Sequence, residues 1–317
     1  MTKEELKIVF MGTPAFAVES LRLLVEHKYN IVGVITMPDK PAGRGHKIQY
    51  SPVKQFALDN KLRLLQPERL KEESFIEELK SLQADIQIVV AFRMLPEVVW
   101  NMPPYGTFNL HASLLPQYRG AAPINWAIIR GEKETGATTF FLTHEIDTGR
   151  VILQRKIPVN DVDNAGTIHD KLMVLGAEMV VETVERVLSG NLESIEQGQL
   201  VSTDETLKSA PKIFKDSCEI HSRLTVEQAH NLVRGLSPYP AAWISIQLPG
   251  QTDLVSIKVF ESEADDTVTS DKPGTFVSDG KTKAGVVMKD GILWFRVVQA
   301  PAKKRMPVED WLRGLRI

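Results

Sequence analysis

Asn109, His111 and Asp147 are the residues whose types and spacing could carry chemistry. Asn109 and His111 stand two positions apart at the end of a short apolar strand, residues 107–110, so their side chains point to the same face. An amide donor and an imidazole placed together suit polarisation of a carbonyl and transfer of a proton. Taken alone, the two residues could equally form a buried, hydrogen-bonded structural pair.

The segments that follow this pair favour a functional site. An irregular loop marked by Pro and Gly, residues 113–124, leads into a helix that carries Trp126, and such loops often carry function. Asp147 ends the apolar run 138–146 and could bring a carboxylate near His111. Its Asp-Thr-Gly triplet is also typical of a tight turn. The triplet occurs in aspartic proteases too, but those enzymes need a pair of carboxylates in an all-β fold.

The turn after the first strand, residues 12–16, lacks the glycines of a dinucleotide-binding fold. It has no Gly-x-Gly-x-x-Gly, and the chain has no Gly-x-x-x-x-Gly-Lys-Ser/Thr to cradle ATP phosphates. A bound NAD is therefore not expected. The turn is either purely structural or the border of a ligand pocket.

Strands and helices alternate through the first half of the chain. This alternation is typical of an α/β domain with a doubly wound, mainly parallel sheet, and nearly continuous apolar strands are expected when helices cover both faces. Ligands of such sheets bind beyond the carboxyl ends of the strands, where Asn109 and His111 stand. The predicted strands are residues 7–11, 31–37, 85–92 and 107–110, and the predicted helices are residues 17–27, 52–60 and 72–82.

The second half of the chain predicts the end of this domain and a second, smaller one. A strand at 150–159 and a long helix capped by Thr167 complete a first domain of residues 1–190, and the polar stretch 191–210 is interpreted as a linker. Residues 211–317 predict an amphipathic helix and five short strands, which favour a small OB-like β-barrel. The helix is 225–234, and the strands are 242–248, 254–260, 274–277, 285–288 and 292–297.

Composition bounds the class of protein. With 317 residues, 25% of them charged and 43% hydrophobic, the chain has the make-up of an ordinary two-domain globular protein, unlike disordered, collagenous or membrane chains. The acidic N-terminus resembles no secretory or mitochondrial address, and the lone Cys218 supports neither a disulfide nor a metal site, so a cytoplasmic location is expected. The net charge of −2 divides into −5 for residues 1–207 and +3 for residues 208–317, which hold 16 Lys and Arg against 13 Asp and Glu.

Three motifs of the chain together carry a family resemblance. They are residues 109–116 (NLHASLLP), 118–121 (YRGA) and 147–149 (DTG). In this order they resemble the formyltransferases that use 10-formyltetrahydrofolate. The resemblance implies a formyltransferase-type, Rossmann-like α/β domain and a formyl-donor cosubstrate, 10-formyltetrahydrofolate, with no metal. It also implies a catalytic trio of Asn109, His111 and Asp147, and a folate site that includes Ser113, Leu114, Leu115 and Pro116.

Four further segments carry a finer resemblance. They are residues 10–16 (FMGTPAF), 38–47 (PDKPAGRGHK), 303–306 (KKRM) and 310–314 (DWLRG). These segments resemble the branch of this family whose acceptor is methionyl initiator tRNA. In that branch the loop at 38–47 reaches the acceptor end of the tRNA, whereas composition alone predicts a solvated flexible loop. The resemblance implies a monomer with no membrane partner. It also implies that tRNA contacts Lys40, Arg44, Lys47, Lys303, Lys304 and Arg305.

Two alternative functions stay open beside this interpretation. One is a formyltransferase that acts on a small amine such as an amino-sugar nucleotide. The loop at 38–47 and the basic tail, residues 303–305, disfavour this function. The other is a non-catalytic tRNA-binding protein, which the complete trio disfavours. The chain also departs from the family pattern at Glu145-Ile146, where Gly-Leu is common, and at Phe92-Arg93, where Arg93 is expected to crowd a turn that suits glycine.

Overall fold

The chain forms two compact units, each built from segments that are separated in sequence. The computed structural model describes residues 1–42, 47–202, 204 and 206–315, without the side chains of residues 40–42 and 47–48. Unit 1 comprises Met1–Gly120, Gly136–Ile157 and His169–Ser209. Unit 2 comprises Ala121–Thr135, Pro158–Ile168 and Ala210–Ile317.

A mainly parallel sheet forms the centre of unit 1. The first strands along the chain are β1 (Lys7–Gly12), β2 (Asn30–Ile35), β3 (Lys40–Ala42), β4 (Lys47–Gln49), β5 (Leu64–Leu65), β6 (Ile86–Val90), β7 (Thr107–His111), β8 (Arg119–Gly120), β9 (Glu134–Phe141) and β10 (Val151–Pro158). Seven of them form the sheet, in the order β10-β9-β7-β6-β1-β2-β5, while β3 and β4 pair with each other as an antiparallel hairpin. β7, β6, β1, β2 and β5 are parallel neighbours, and β9 lies antiparallel to β7. The predicted parallel α/β fold is confirmed.

Helices cover the sheet and bury its strands. The first helices of the chain are α1 (Ala15–Glu26), α2 (Pro52–Asp59), α3 (Glu73–Ser81), α4 (Glu97–Trp100), α5 (Pro123–Ile129) and α6 (Ala165–Leu188). All residues of β6 are buried, including the polar Gln87, as its nearly continuous apolar sequence predicts. On one face α3 packs into a core with strand residues, including Phe75, Leu79, Val9, Met11 and Val89.

The cap of α6 differs from the prediction that Thr167 begins this helix. The helix begins at Ala165, and the Asn164 side chain accepts a hydrogen bond of 3.0 Å from the Thr167 backbone N–H. The Thr167 hydroxyl returns a bond by accepting from the Asn164 backbone N–H at 3.0 Å. Asn164 is therefore the capping residue and Thr167 its partner in the first turn, because either side chain can satisfy an unpaired amide there.

Unit 2 contains a curled antiparallel half-barrel. After the 3-10 helices Gln197–Gln199 and Lys215–Cys218 and the short strand β11 (Ser209–Ala210), the chain forms α7 (Val226–Leu236), β12 (Ala242–Gln247), β13 (Leu254–Asp265), β14 (Phe276–Ser278), β15 (Ala284–Val287), β16 (Ile292–Gln299), β17 (Met306–Pro307) and α8 (Val308–Arg313). The strand order is β12-β13-β16-β15-β14, with β17 beside β16. The five predicted strands and the predicted helix of this region are all present.

One long strand, β13, gives the half-barrel its curl. Its first half pairs with β12 and its second half with β16, and the register shifts around Glu261. Such irregularities bend a strand and let it change partners. The helix α7 is capped by Thr225, which forms a capping box with Gln228, and its apolar face joins the core of this unit.

Candidate active site

His111 lies at the carboxyl end of β7 with its side chain buried. The ring nitrogen Nε2 is 2.9 Å from the backbone carbonyl oxygen of Tyr118. A carbonyl oxygen only accepts hydrogen bonds, so Nε2 carries the proton. The other nitrogen, Nδ1, is 3.9 Å from Oδ2 of Asp147. His111 is thus held through one nitrogen and turns the other toward a carboxylate.

Asp147 occupies the turn between β9 and β10 in a left-handed backbone conformation, with φ 56°. Its Oδ2 accepts a 2.9 Å hydrogen bond from the backbone N–H of Gly120. Two positions later, a Cβ added at Gly149 would lie 1.7 Å from the carbonyl oxygen of Phe141, so no side chain fits there. The Asp-Thr-Gly triplet therefore builds a turn that directs a carboxylate toward His111.

Asn109 shares the face of β7 that carries His111, and its side chain is half-buried. The intervening Leu110 points to the opposite face, where its Cδ2 would lie 2.6 Å from a Cβ added at Gly176 of α6. The His111 ring packs edge-on against Phe140 of the neighbouring strand, with ring centroids 6.4 Å apart. The strand geometry places an amide and an imidazole side by side, as the spacing predicts.

The stretch 113–116, predicted to bind folate, packs tightly against β9 and β10. The Ser113 hydroxyl donates to the backbone carbonyl of Gln117 at 2.7 Å, and the Ser113 carbonyl accepts from the Thr138 hydroxyl at 2.7 Å. Leu115 and Pro116 are buried, whereas Leu114 is half-buried. The carbonyl of Leu115 accepts from the Gln154 amide at 2.8 Å. One local hydrogen bond and two hydrogen bonds to β9 and β10 therefore hold this loop in place.

The residues predicted to contact tRNA fall on two separate segments. Arg44 lies outside the described residues, as do the side chains of Lys40 and Lys47, whose backbones form the hairpin of β3 and β4. Lys303 and Lys304 are exposed. Arg305 instead donates from Nη2 to Glu261 Oε1 at 2.8 Å and lies 4.5 Å from the centroid of the Phe260 ring.

The prediction that Arg93 crowds the turn after β6 is wrong. The left-handed backbone of this turn lies at Ala91, with φ 47°, so Arg93 does not crowd it. The Arg93 guanidinium donates to the backbone carbonyl of Glu68 at 2.8 Å and to that of Pro67. Burial lowers the pKa of Arg93. The departure from the family pattern thus ties the turn after β6 to the segment after β5.

Sequence reasoning missed the groups that hold the carboxylate and the imidazole. Two are main-chain groups, the Tyr118 carbonyl and the Gly120 N–H, which no side-chain pattern marks. A third is Gln197, which the sequence places in a polar linker but which is only 2% exposed. The YRGA motif at 118–121 contains Tyr118 and Gly120 but gave no role to their main-chain groups, and nothing in the sequence distinguished Gln197 from its polar neighbours.

The described part of the chain contains no group of three or more His, Cys, Asp or Glu residues that could hold a metal ion. Across the same residues, no helix is long and apolar enough to cross a membrane. Both statements concern side chains and helices within the described ranges, which exclude residues 43–46, 203, 205 and 316–317.

Two family models match the chain. Residues 6–184 match the formyl transferase family, and residues 212–316 match the formyl transferase C-terminal domain. The chain is 59% identical over 317 residues to a methionyl-tRNA formyltransferase of Bacteroides fragilis, covering 100% of this chain and 97% of the relative. It is 57% identical over 317 residues to a methionyl-tRNA formyltransferase of Bacteroides thetaiotaomicron, covering 100% and 98% respectively.

A solved structure is similar in fold. The N-formyltransferase from Helicobacter canadensis, in complex with folinic acid and dTDP-3-aminofucose, has a TM-score of 0.67 at 19% identity. The match covers 95% of this chain and 100% of that one. At this identity the likeness concerns the fold alone.

Proposed function

Because the chain belongs to the formyl transferase family, we propose that Asn109, His111 and Asp147 carry its chemistry. The reaction is transfer of the formyl group of 10-formyltetrahydrofolate to the α-amino group of methionyl initiator tRNA. Full-length relatives with 57–59% identity carry this assignment of the reaction. The approach of the Asp147 carboxylate to His111 Nδ1, at 3.9 Å, supports the assignment of the residues.

The reaction needs a group that stabilises negative charge on oxygen. The neutral amine of the methionyl group attacks the formyl carbon, a new C–N bond forms, and the carbonyl oxygen becomes an oxyanion. The amine then loses a proton, the bond from carbon to N10 breaks, and N10 takes up a proton as tetrahydrofolate leaves. Loss of one hydrogen-bond donor to such an oxyanion typically costs about 3 kcal/mol, roughly a hundredfold in rate.

We assign the donors from the geometry of β7. The Asn109 amide is one donor, and protonated His111 is the other through Nδ1, because Nε2 already donates to the Tyr118 carbonyl at 2.9 Å. Asp147 orients the ring and helps to remove the amine proton. The Gly120 N–H fixes the carboxylate for this task.

The folate cosubstrate would meet the loop at 113–116 mainly through its backbone and Leu114. The Ser113 hydroxyl is bonded to Gln117, and Leu115 and Pro116 are buried, so these three side chains shape the loop from within. A loop held in one shape by these contacts suits a concave site for a flat heterocycle.

Initiator tRNA would meet the chain at the hairpin of β3 and β4 and at the basic tail. We assign Lys40, Arg44 and Lys47 to the first contact and residues 303–305 to the second. Lys and Arg at these places would neutralise backbone phosphates. We further propose that the protein acts as a monomer in the cytoplasm, without a membrane partner.

The test compares three acceptors with 10-formyltetrahydrofolate as donor: methionyl initiator tRNA, free methionine and an amino-sugar nucleotide. We expect product only with the charged tRNA, and loss of that product in His111→Ala but not in His27→Ala, whose imidazole is exposed on α1's C-terminal side. Product from the amino-sugar nucleotide instead would overturn the assignment of methionyl initiator tRNA as the acceptor. An active His111→Ala variant would overturn the assignment of the residues.

A further inference from the structure

Gln197 stands at the centre of a hydrogen-bond cluster within unit 1. Its side-chain Nε2 donates to the backbone carbonyl of Asp147 at 2.8 Å and to that of Gly149 at 2.9 Å. Its Oε1 accepts from Arg119, from Nε at 3.0 Å and from Nη2 at 2.6 Å. One buried amide thus uses its donors on one segment and its acceptor on another.

Both segments hold groups of the proposed trio. The first is the turn of Asp147, whose left-handed backbone persists only if its surroundings stabilise it. The second contains Arg119, which stands between the two residues that contact the trio: the Tyr118 carbonyl accepts from His111, and the Gly120 N–H donates to Asp147. We propose that Gln197 is a positioning residue that fixes the Asp147 carboxylate relative to His111 Nδ1.

The segment that carries Gln197 is itself anchored to the sheet. Ile195 forms two backbone hydrogen bonds of 2.8 Å with Val151, the first residue of β10. Arg150 Nε donates to the Ser194 hydroxyl at 2.9 Å, and Arg150 also pairs with Glu196. Gln197 therefore approaches the turn of Asp147 from a fixed backbone, so its amide can transmit position to the carboxylate.

A buried amide can also serve stability alone, since buried polar groups are nearly always hydrogen-bonded. The cluster differs in what its partners do. Each partner of Gln197 either lies in the turn of Asp147 or, as Arg119 does, stands next to a main-chain group that contacts His111 or Asp147. The inference rests on the proposed function, in which these two side chains contact the reacting atoms. A displacement of about 1 Å in such a group can cost on the order of a hundredfold in rate.

Two variants separate position from packing. Gln197→Met removes every hydrogen bond of the side chain. Gln197→Glu keeps an oxygen for Arg119 and adds an ion pair, but it loses both donors and turns an anion toward two carbonyl oxygens. Gln199→Met, on the exposed side of the same 3-10 helix, is the matched control. We expect both Gln197 variants to lower kcat roughly 10- to 100-fold, with KM for folate and for tRNA within about threefold of the wild-type values.

A double-mutant cycle with Asp147→Asn decides between the two roles, with kcat for methionyl initiator tRNA and the Tm measured for every protein. If Gln197 acts through the carboxylate, Gln197→Glu lowers kcat in the wild-type background and has almost no further effect once Asp147→Asn is present. Wild-type kcat in both Gln197 variants, or an equal loss in the two backgrounds, overturns the positioning role while the trio stands. Wild-type kcat in Asp147→Asn overturns the trio and the positioning role together.

Discussion

At the residue scale, Asp147 combines an unusual backbone with a demanding side-chain position. The carboxylate accepts from the Gly120 N–H, and φ is 56°. Asparagine tolerates this left-handed region better than most residues and keeps an oxygen for Gly120. Replacement of Asp147 by asparagine should therefore change charge without changing the turn.

We predict that Asp147→Asn lowers kcat on the order of 100- to 10,000-fold, because a group that assists proton transfer contributes about that much. The Tm should stay within a few degrees of the wild-type value. Single-turnover formyl transfer at saturating methionyl-tRNA, together with a thermal melt, measures both. A variant that turns over at the wild-type rate would show that the carboxylate has no part in the chemistry.

What the sequence predicts at this scale depends on side chains. Strand alternation places Asn109 and His111 on one face and Asp-Thr-Gly marks a turn at Asp147, but the proposal that the three act together came from the family resemblance. The Tyr118 carbonyl and the Gly120 N–H could not be found, since every residue carries such groups and only the folded backbone aims them. Gln197 was missed because its environment, not its type, makes it special.

At the element scale, Lys54 of α2 connects the two ends of the hairpin of β3 and β4. Its ammonium pairs with Asp39, directly before β3, and lies 4.0 Å from the centroid of the Tyr50 ring, directly after β4. The Gln66 amide adds hydrogen bonds to Asp39 Oδ1 at 3.0 Å and to the Met37 carbonyl at 2.9 Å. The hydrogen bond from Lys54 is the main cause that lowers the pKa of Asp39, followed by that from Gln66.

We predict that Lys54→Met raises KM for methionyl-tRNA roughly fivefold and leaves KM for the folate donor unchanged, because the base of the hairpin loses a partly exposed anchoring contact. Lys71→Met, at an exposed lysine elsewhere in unit 1, is the control. Steady-state kinetics with each substrate varied in turn measures the effect. An equal rise of both KM values would mean that the variant perturbs the site generally rather than the hairpin.

Elements were predictable in proportion to their length. The helix at 225–234 has a clear helical periodicity and the strands at 7–11 and 85–92 are nearly continuous apolar runs, whereas β3, β5 and β8 contain two or three residues and show no such pattern. Local chemistry also allows more than one solution. Asn164 and Thr167 are both good caps, and only the fold decides which one begins α6.

At the scale of the whole molecule, the three basic residues at 303–305 are expected to contribute unequally to tRNA binding. Lys303, Lys304 and Arg305 are all exposed, and Arg305 forms an ion pair with Glu261. The slope of the logarithm of the tRNA association constant against the logarithm of salt concentration is negative. We predict that the double variant Lys303→Gln/Lys304→Gln makes this slope less steep by up to about 2, near 0.7 to 0.9 for each lost phosphate contact. Arg305→Gln should change the slope less. Fluorescence anisotropy over a salt titration measures these slopes, and a larger effect of Arg305→Gln would contradict the ranking.

The ribosome synthesises the segments of unit 2 at different times, because this unit is discontinuous in sequence. Its early segments therefore cannot fold until the later ones have been made. The Asn125 amide of α5 donates to the Gly235 carbonyl at 2.7 Å, and Arg234 Nη1 donates to the carbonyls of Asn160 at 3.0 Å and Asp163 at 2.9 Å. These early segments must wait for α7 to emerge before their partners exist, and contacts so distant in sequence form slowly. A nascent chain that has completed most of its parallel sheet therefore still carries unpaired pieces of its second unit, which is when it is most open to misassembly.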